Sequence, residues 1–113
     1  NYIEGVVAGI GERLKLLKPG VKVIGIQYFM DTIPSVLDRG AADEWIKISR
    51  SDGKEILKDT IKKEGLLIGN ISAMTLAGAY SSIKTQEELH NKSYNCIVIL
   101  ADSINFSMNS LLT

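Results

Sequence analysis

Helices alternating with strands along 113 residues predict an α/β protein with a mostly parallel sheet covered on both faces. Three observations carry that expectation. Apolar residues at 3, 6, 7, 10, 14 and 17 follow a helical spacing. Short apolar runs, VKVIGI at Val21–Ile26 and CIVIL at Cys96–Leu100, read as strands. Between them Gly65–Tyr80, GLLIGNISAMTLAGAY, passes from a short apolar strand straight into a helix of small residues. The expected architecture is a three-layer α-β-α sandwich, one domain over residues 1–113, with about four strands and four to five helices.

Taken in order, Ile3–Leu17 is the first expected helix, and Pro19-Gly20 stops it. Val21–Ile26 follows as a strand. Thr32 and Pro34 suit the start of a short helix over Ile33–Asp38. Glu44–Ile48 (EWIKI) alternates as a strand with one covered face does. Ser51-Asp52 opens a helix reaching about Glu64, where Gly65 ends it. Leu66–Ile68 is the next strand, and the turn at Gly69-Asn70 leads into a helix from Ile71 to Ile83. In that helix Ser72 could serve as a cap, and Ala73, Ala77, Gly78 and Ala79 permit close packing. Thr85–Tyr94 is polar and reads as an exposed loop. Cys96–Leu100 is the most strand-like run in the chain, and Asp102-Ser103 after it suits the cap of a last short helix.

Composition narrows the function classes. A hydrophobic content of 45% is enough for a core. Thirteen basic residues balance thirteen acidic ones, so nothing in the charge points to nucleic acid or an anionic membrane. No apolar run approaches the ~20 residues of a membrane span. Cys96, the one cysteine, lies in an apolar run and reads as a buried, inert thiol. A chain with one cysteine forms no internal disulfide, which fits a reducing compartment, and a cytoplasmic location is expected.

The candidate chemistry is sparse. Gly5, Gly9 and Gly11 stand in EGVVAGIG, which lacks the spacing of a dinucleotide fingerprint and the Lys-Ser/Thr of a phosphate loop. Small residues that let a helix pack on a sheet account for them better, and Glu4 would repel a phosphate. His90 is the only histidine, and no His, Cys or carboxylate spacing suits a metal. Lys62-Lys63 reads as a wet helix face and Trp45 as a core residue. Asp38-Arg39 and Asp43-Glu44 offer charges without a paired-carboxylate arrangement. Asp102-Ser103 lacks a catalytic histidine.

Four segments in this order, RLKLLKPGVKVIGI, IPSVLDRGAADEWIKI, KKEGLLIG and CIVILADS, resemble the C-terminal half of the catalytic core of the cystathionine β-synthase family. The related cysteine synthases are a more distant match. The IPSVLDR tract followed by a Trp-containing strand is the most specific part. The resemblance implies a pyridoxal-phosphate enzyme of fold type II that performs β-replacement on serine or a serine ester. It also implies three departures. The family's glycine-rich phosphate cup aligns with Tyr2, Ile3, Glu4, Gly5 and Val6, where only Gly5 matches. The family's serine that meets the pyridine nitrogen aligns with Ile71, and Ser72 stands one residue late, about 100 degrees round a helix. Gln27–Thr32 is all that fills the place of a longer substrate-side segment. The Schiff-base lysine of the family lies in the half that these residues do not match.

The expectation that follows is a degenerate module with a structural or regulatory role and no catalysis of its own. It has no catalytic or metal residues, and Gly5 and Ser72 are vestigial cofactor positions. No cofactor is expected for this chain, although the family uses pyridoxal phosphate. Two alternatives remain open: part of an active enzyme whose other residues lie outside this chain, and a small-molecule sensor using the leftover cleft. The expected partner is another segment of the same polypeptide or a second copy, with neither nucleic acid nor membrane involved.

Overall fold

A computed structural model of the chain describes residues 2–28, 40, 42–90 and 95–106, with side chains described for 7–27, 40, 42–86 and 95–105. The chain divides into two compact units, Asn1–Lys47 and Ile48–Thr113.

The first unit opens with α1, Tyr2–Leu17, as the apolar spacing predicts. Its end closes through Lys18 N–H to Leu14 O at 2.8 Å and Val21 N–H to Lys18 O at 3.0 Å. Val21 is therefore spent on the turn, and the strand expected at Val21–Ile26 starts later. The observed β1 is Ile24–Tyr28, paired with β2, Glu44–Ile48. The pair is parallel, in keeping with Asp43 N–H bonding to Val23 O at 2.8 Å just ahead of both strands.

Asp43 organises this unit. Its carboxylate accepts Val23 N–H at 2.8 Å and Lys15 Nζ at 2.6 and 2.8 Å. One side chain thus ties the last turn of α1 to the start of the strand pair. The Lys15 ammonium, and next the Val23 N–H, hold the Asp43 carboxyl below its usual range. Lys22 and Glu44 meet at 3.0 Å on the surface, where such a pair contributes little. Trp45 is half-buried and lies over Gly25, where a Cβ would fall 2.5 Å from its ring, so Gly25 leaves room for the indole. The helix expected at Ile33–Asp38, with Thr32 and Pro34 at its start, falls outside the described residues.

The second unit is built on two helices. α2 is Arg50–Glu64, one residue ahead of the start expected at Ser51-Asp52. Its N-cap is Ser49, whose Oγ accepts Asp52 N–H at 3.3 Å and donates to the Asp52 carboxylate at 2.6 Å. Gly65 ends the helix as expected: its φ of 67° is left-handed, and its N–H bonds to Ile61 O at 3.1 Å.

α3 is Asn70–His90. It runs through Thr85–His90, where a polar loop was expected; Gln, Glu and Leu are good helix formers, and no Gly or Pro interrupts them. Thr85 Oγ1 bonds back to Ser81 O at 3.0 Å. Small residues let α2 and α3 approach closely. A Cβ at Gly53 would stand 2.5 Å from Met74 Cγ, and Ala73, Ala77 and Gly78 are buried. Leu57 is fully buried among Ile68, Ala73 and Ile104, with Ile61 and Leu76 packed around them. Burying such a leucine contributes about 2 kcal/mol.

The α/β class stands, with two corrections among the described residues. Leu66–Ile68 contributes only an isolated antiparallel bridge from Ile68 to Ser103 instead of a strand. Cys96–Leu100 pairs in no ladder, so Cys96 is exposed and not buried as its apolar neighbours suggested. No helix among the described residues is long and apolar enough to cross a membrane.

Two outcomes are expected. Gly65→Ala forces a side chain into left-handed backbone and lowers stability by about 1 kcal/mol, read from the urea midpoint. Asp43 has a depressed native pKa, so its contribution is present above the unfolded carboxylate value and lost as pH falls through the lower native one. The melting-temperature gap between the wild type and Asp43→Asn should therefore close as pH drops below about 4.

Candidate functional site

The junction between Ile68 and the start of α3 is where an α/β fold offers helix-terminal N–H groups to a ligand. Ala73 N–H bonds to Gly69 O at 3.0 Å, the first intrahelical bond of α3. The N–H groups of Ile71 and Ser72 thus have no acceptor within the helix. The chain supplies its own. Asp102, thirty residues away, accepts Ser72 N–H at Oδ1, 2.8 Å, and Ile71 N–H at Oδ2, 3.2 Å. The Ser72 hydroxyl also donates to Oδ1, at 2.5 Å, and accepts Asp102 N–H at 3.2 Å. Gly69 N–H bonds to Asp102 O at 3.2 Å, and Ile104 N–H to Leu67 O at 3.1 Å.

This is a helix cap delivered from a distant part of the chain. A carboxylate at a helix N-terminus satisfies free donors and complements the positive end of the dipole. The fit leaves no room at Gly69: a Cβ there would run into the Asp102 carboxylate and come 2.7 Å from Ser103 O. Asp102 was expected to cap the short helix after it. That helix is a three-residue 3-10 turn, Ile104–Phe106, and the carboxylate points to α3 instead. There the N–H groups of Ile71 and Ser72, which lack intrahelical acceptors, take both carboxylate oxygens. Ser72 sits in the first turn of α3, fully buried, with its hydroxyl on Asp102.

The other candidates lie elsewhere. Gly5 belongs to α1, whose helical backbone includes all of Tyr2–Val6, the residues aligned with the glycine-rich loop. His90 is the last residue of α3. Among the described residues no three His, Cys, Asp or Glu side chains come together as a metal site. An open groove of about 330 Å³ lies on the second unit, lined by Ile48, Asp52, Glu55, Ile56, Ala77 and Ser81. It is separate from the turn at Gly69, and Asp52 there is already engaged by Ser49.

No family model matches the chain. Sequence relatives do. Cystathionine β-synthase of Rattus norvegicus is 31% identical over 133 residues, and that of Dictyostelium discoideum 35% identical over 108. Each match takes in 96% of this chain. The chain is homologous to part of cystathionine β-synthase. It spans 23% of the rat relative and 20% of the Dictyostelium one.

Solved structures agree on the fold. A hydrogen sulfide-producing enzyme from Fusobacterium nucleatum superposes with a TM-score of 0.71 at 21% identity, over 86% of this chain and 38% of its own. O-acetyl serine sulfhydrylase isoform 3 of Entamoeba histolytica gives 0.69 at 24%, over 96% and 36%. At such identities the likeness concerns architecture.

Cystathionine β-synthases depend on pyridoxal phosphate, so the turn can be tested against that cofactor. The resemblance sets Ile71 where the family has the serine that meets the ring nitrogen, and the side chains at that position do not supply such a partner. Ile71 carries no polar side-chain atom, and the hydroxyl of the adjacent Ser72 is buried against Asp102. Ile71 and Ser72 stand out in the sequence, but nothing local in it pairs Ser72 with Asp102, thirty residues away.

Removing the cap should be costly. Asp102→Ala is expected to lower stability by about 2–3 kcal/mol and Ser72→Ala by about 1–2 kcal/mol. The double variant should lose less than the sum, because both act on one network. Urea titration of the four proteins measures this, and strict additivity would show that the pair does not act together.

Proposed function

We propose that this chain is a cystathionine β-synthase-like module that has no catalysis of its own and serves a structural or regulatory role. The observation that supports this reading most is the commitment of the Ser72 hydroxyl to Asp102, next to an isoleucine where the family places its cofactor serine. A protein that uses pyridoxal phosphate must hold and tune the ring of that cofactor. At this turn the side chains hold one another.

Two further points favour the same reading. Gly5 is the one residue retained from the glycine-rich cup, and it lies in α1. None of the lysines here stands in the sequence context of the family's Schiff-base lysine.

Titrating the natural protein with pyridoxal phosphate tests the proposal. No imine band near ~410–430 nm is expected to survive dialysis. A band that persists and disappears on borohydride reduction would overturn the reading and place the chain within a working enzyme.

A further inference from the structure

The α2 helix carries a charge pattern that its own fold does not use. Arg50, Lys54, Lys58 and Lys62 follow one another at four-residue intervals, so they form a continuous row along one face. Among the described residues none of the four enters an ion pair. Lys63, outside the row, pairs instead with Asp59 at 3.8 Å. Like charges four residues apart on a helix repel, and here 50/54, 54/58 and 58/62 do so in succession. The fold draws no support from this arrangement. α2 is held by its Ser49 cap, by Gly65 and by the burial of Gly53, Leu57 and Thr60, none of which needs a cation. Arg50 and Lys62 are exposed, while Lys54 and Lys58 are half-buried and therefore lose less freedom when a partner orders them.

Charge and geometry select the partner. Four residues of helix rise about 6 Å, so the row presents a cation at each such step. An α-helix with Asp or Glu at every fourth position repeats its carboxylates at the same interval and is narrow enough to follow one row. Width matters because Asp52, Glu55 and Asp59 occupy the neighbouring face of α2. A flat anionic membrane would meet those carboxylates together with the row. A nucleic-acid strand would find no aromatic platform on α2 and no basic field, since 13 basic and 13 acidic residues balance in the chain. A second copy offers Asp52, Glu55 and Asp59, whose spacing of three and then four residues fits the row less well. We propose that the row of Arg50, Lys54, Lys58 and Lys62 is a docking face for an acidic helix of a partner protein. It shares no residue with the turn at Gly69, so the inference does not depend on whether a cofactor binds there.

The probe is a synthetic alanine-based helical peptide with Glu at every fourth position, titrated into the natural protein and followed by fluorescence anisotropy. Binding is expected, and raising the salt from about 0.05 to about 0.2 M should weaken it roughly five- to tenfold. Lys54→Gln combined with Lys58→Gln should weaken it by a similar factor, roughly five- to tenfold. Lys63→Gln removes the same kind of charge outside the row and should leave the affinity within about twofold. The double variant should melt at or above the wild-type temperature, because neutralisation relieves repulsion. A lower melting temperature would show that the lysines serve the fold itself and would overturn the proposal. No binding at low salt would do the same, as would an equal loss in Lys63→Gln or equal binding of a peptide with its Glu residues off the four-residue repeat. Tighter binding of poly(U) or of phosphatidylserine vesicles would assign the row to another class of partner. Self-association of the wild type that the double variant abolishes would assign it to a second copy, and either result overturns the inference.

Discussion

The second unit depends on a carboxylate placed at the end of a helix. Asp102 meets the N–H groups of Ile71 and Ser72 and the Ser72 hydroxyl, and in doing so pins residues 101–104 against the start of α3. That attachment sets Ile104 into the core beside Leu57, Ile68 and Ala73. It also explains Gly69, since any side chain there would occupy the space of the carboxylate. Without an acceptor at this point, donors in a part-buried turn would lose water and gain no partner, a penalty comparable to a lost hydrogen bond each.

The first unit solves a similar problem in the same way. Asp43 stands just ahead of β2 and accepts the Val23 N–H just ahead of β1, while Lys15 at the end of α1 closes on its other side. Both aspartates follow a logic in which a short acidic side chain at an element boundary satisfies backbone donors from another element. Lysine adds charge compensation to Asp43, which holds its carboxyl below the ordinary range. For Asp102 the compensation comes from the helix dipole and the hydroxyl.

This construction bears on function. A turn that binds a cofactor must leave donors facing an open space. The turn at Gly69 directs the Ser72 hydroxyl and the N–H groups of Ile71 and Ser72 onto Asp102, and Ile71 beside them carries an alkyl side chain. Among the described residues the CIVIL run pairs in no ladder and is largely exposed.

The chain by itself determined what is local. Helical spacing placed α1, the alternation in EWIKI placed β2, and Gly65 marked the end of α2, because each is written within one element's own period or cap. The family relation was legible in the same way, from contiguous tracts such as IPSVLDR. Boundaries that depend on competition were not: Val21 went to a turn, and Thr85–His90 joined α3 once no breaker intervened. Cys96 was read as buried from neighbours that are themselves exposed. Tertiary structure alone decided the pairing of Asp102 with Ser72 across 30 residues and of Asp43 with Lys15 across 28. No periodicity encodes such partners. They are chosen by which unsatisfied donor the packed chain brings within reach of which acceptor.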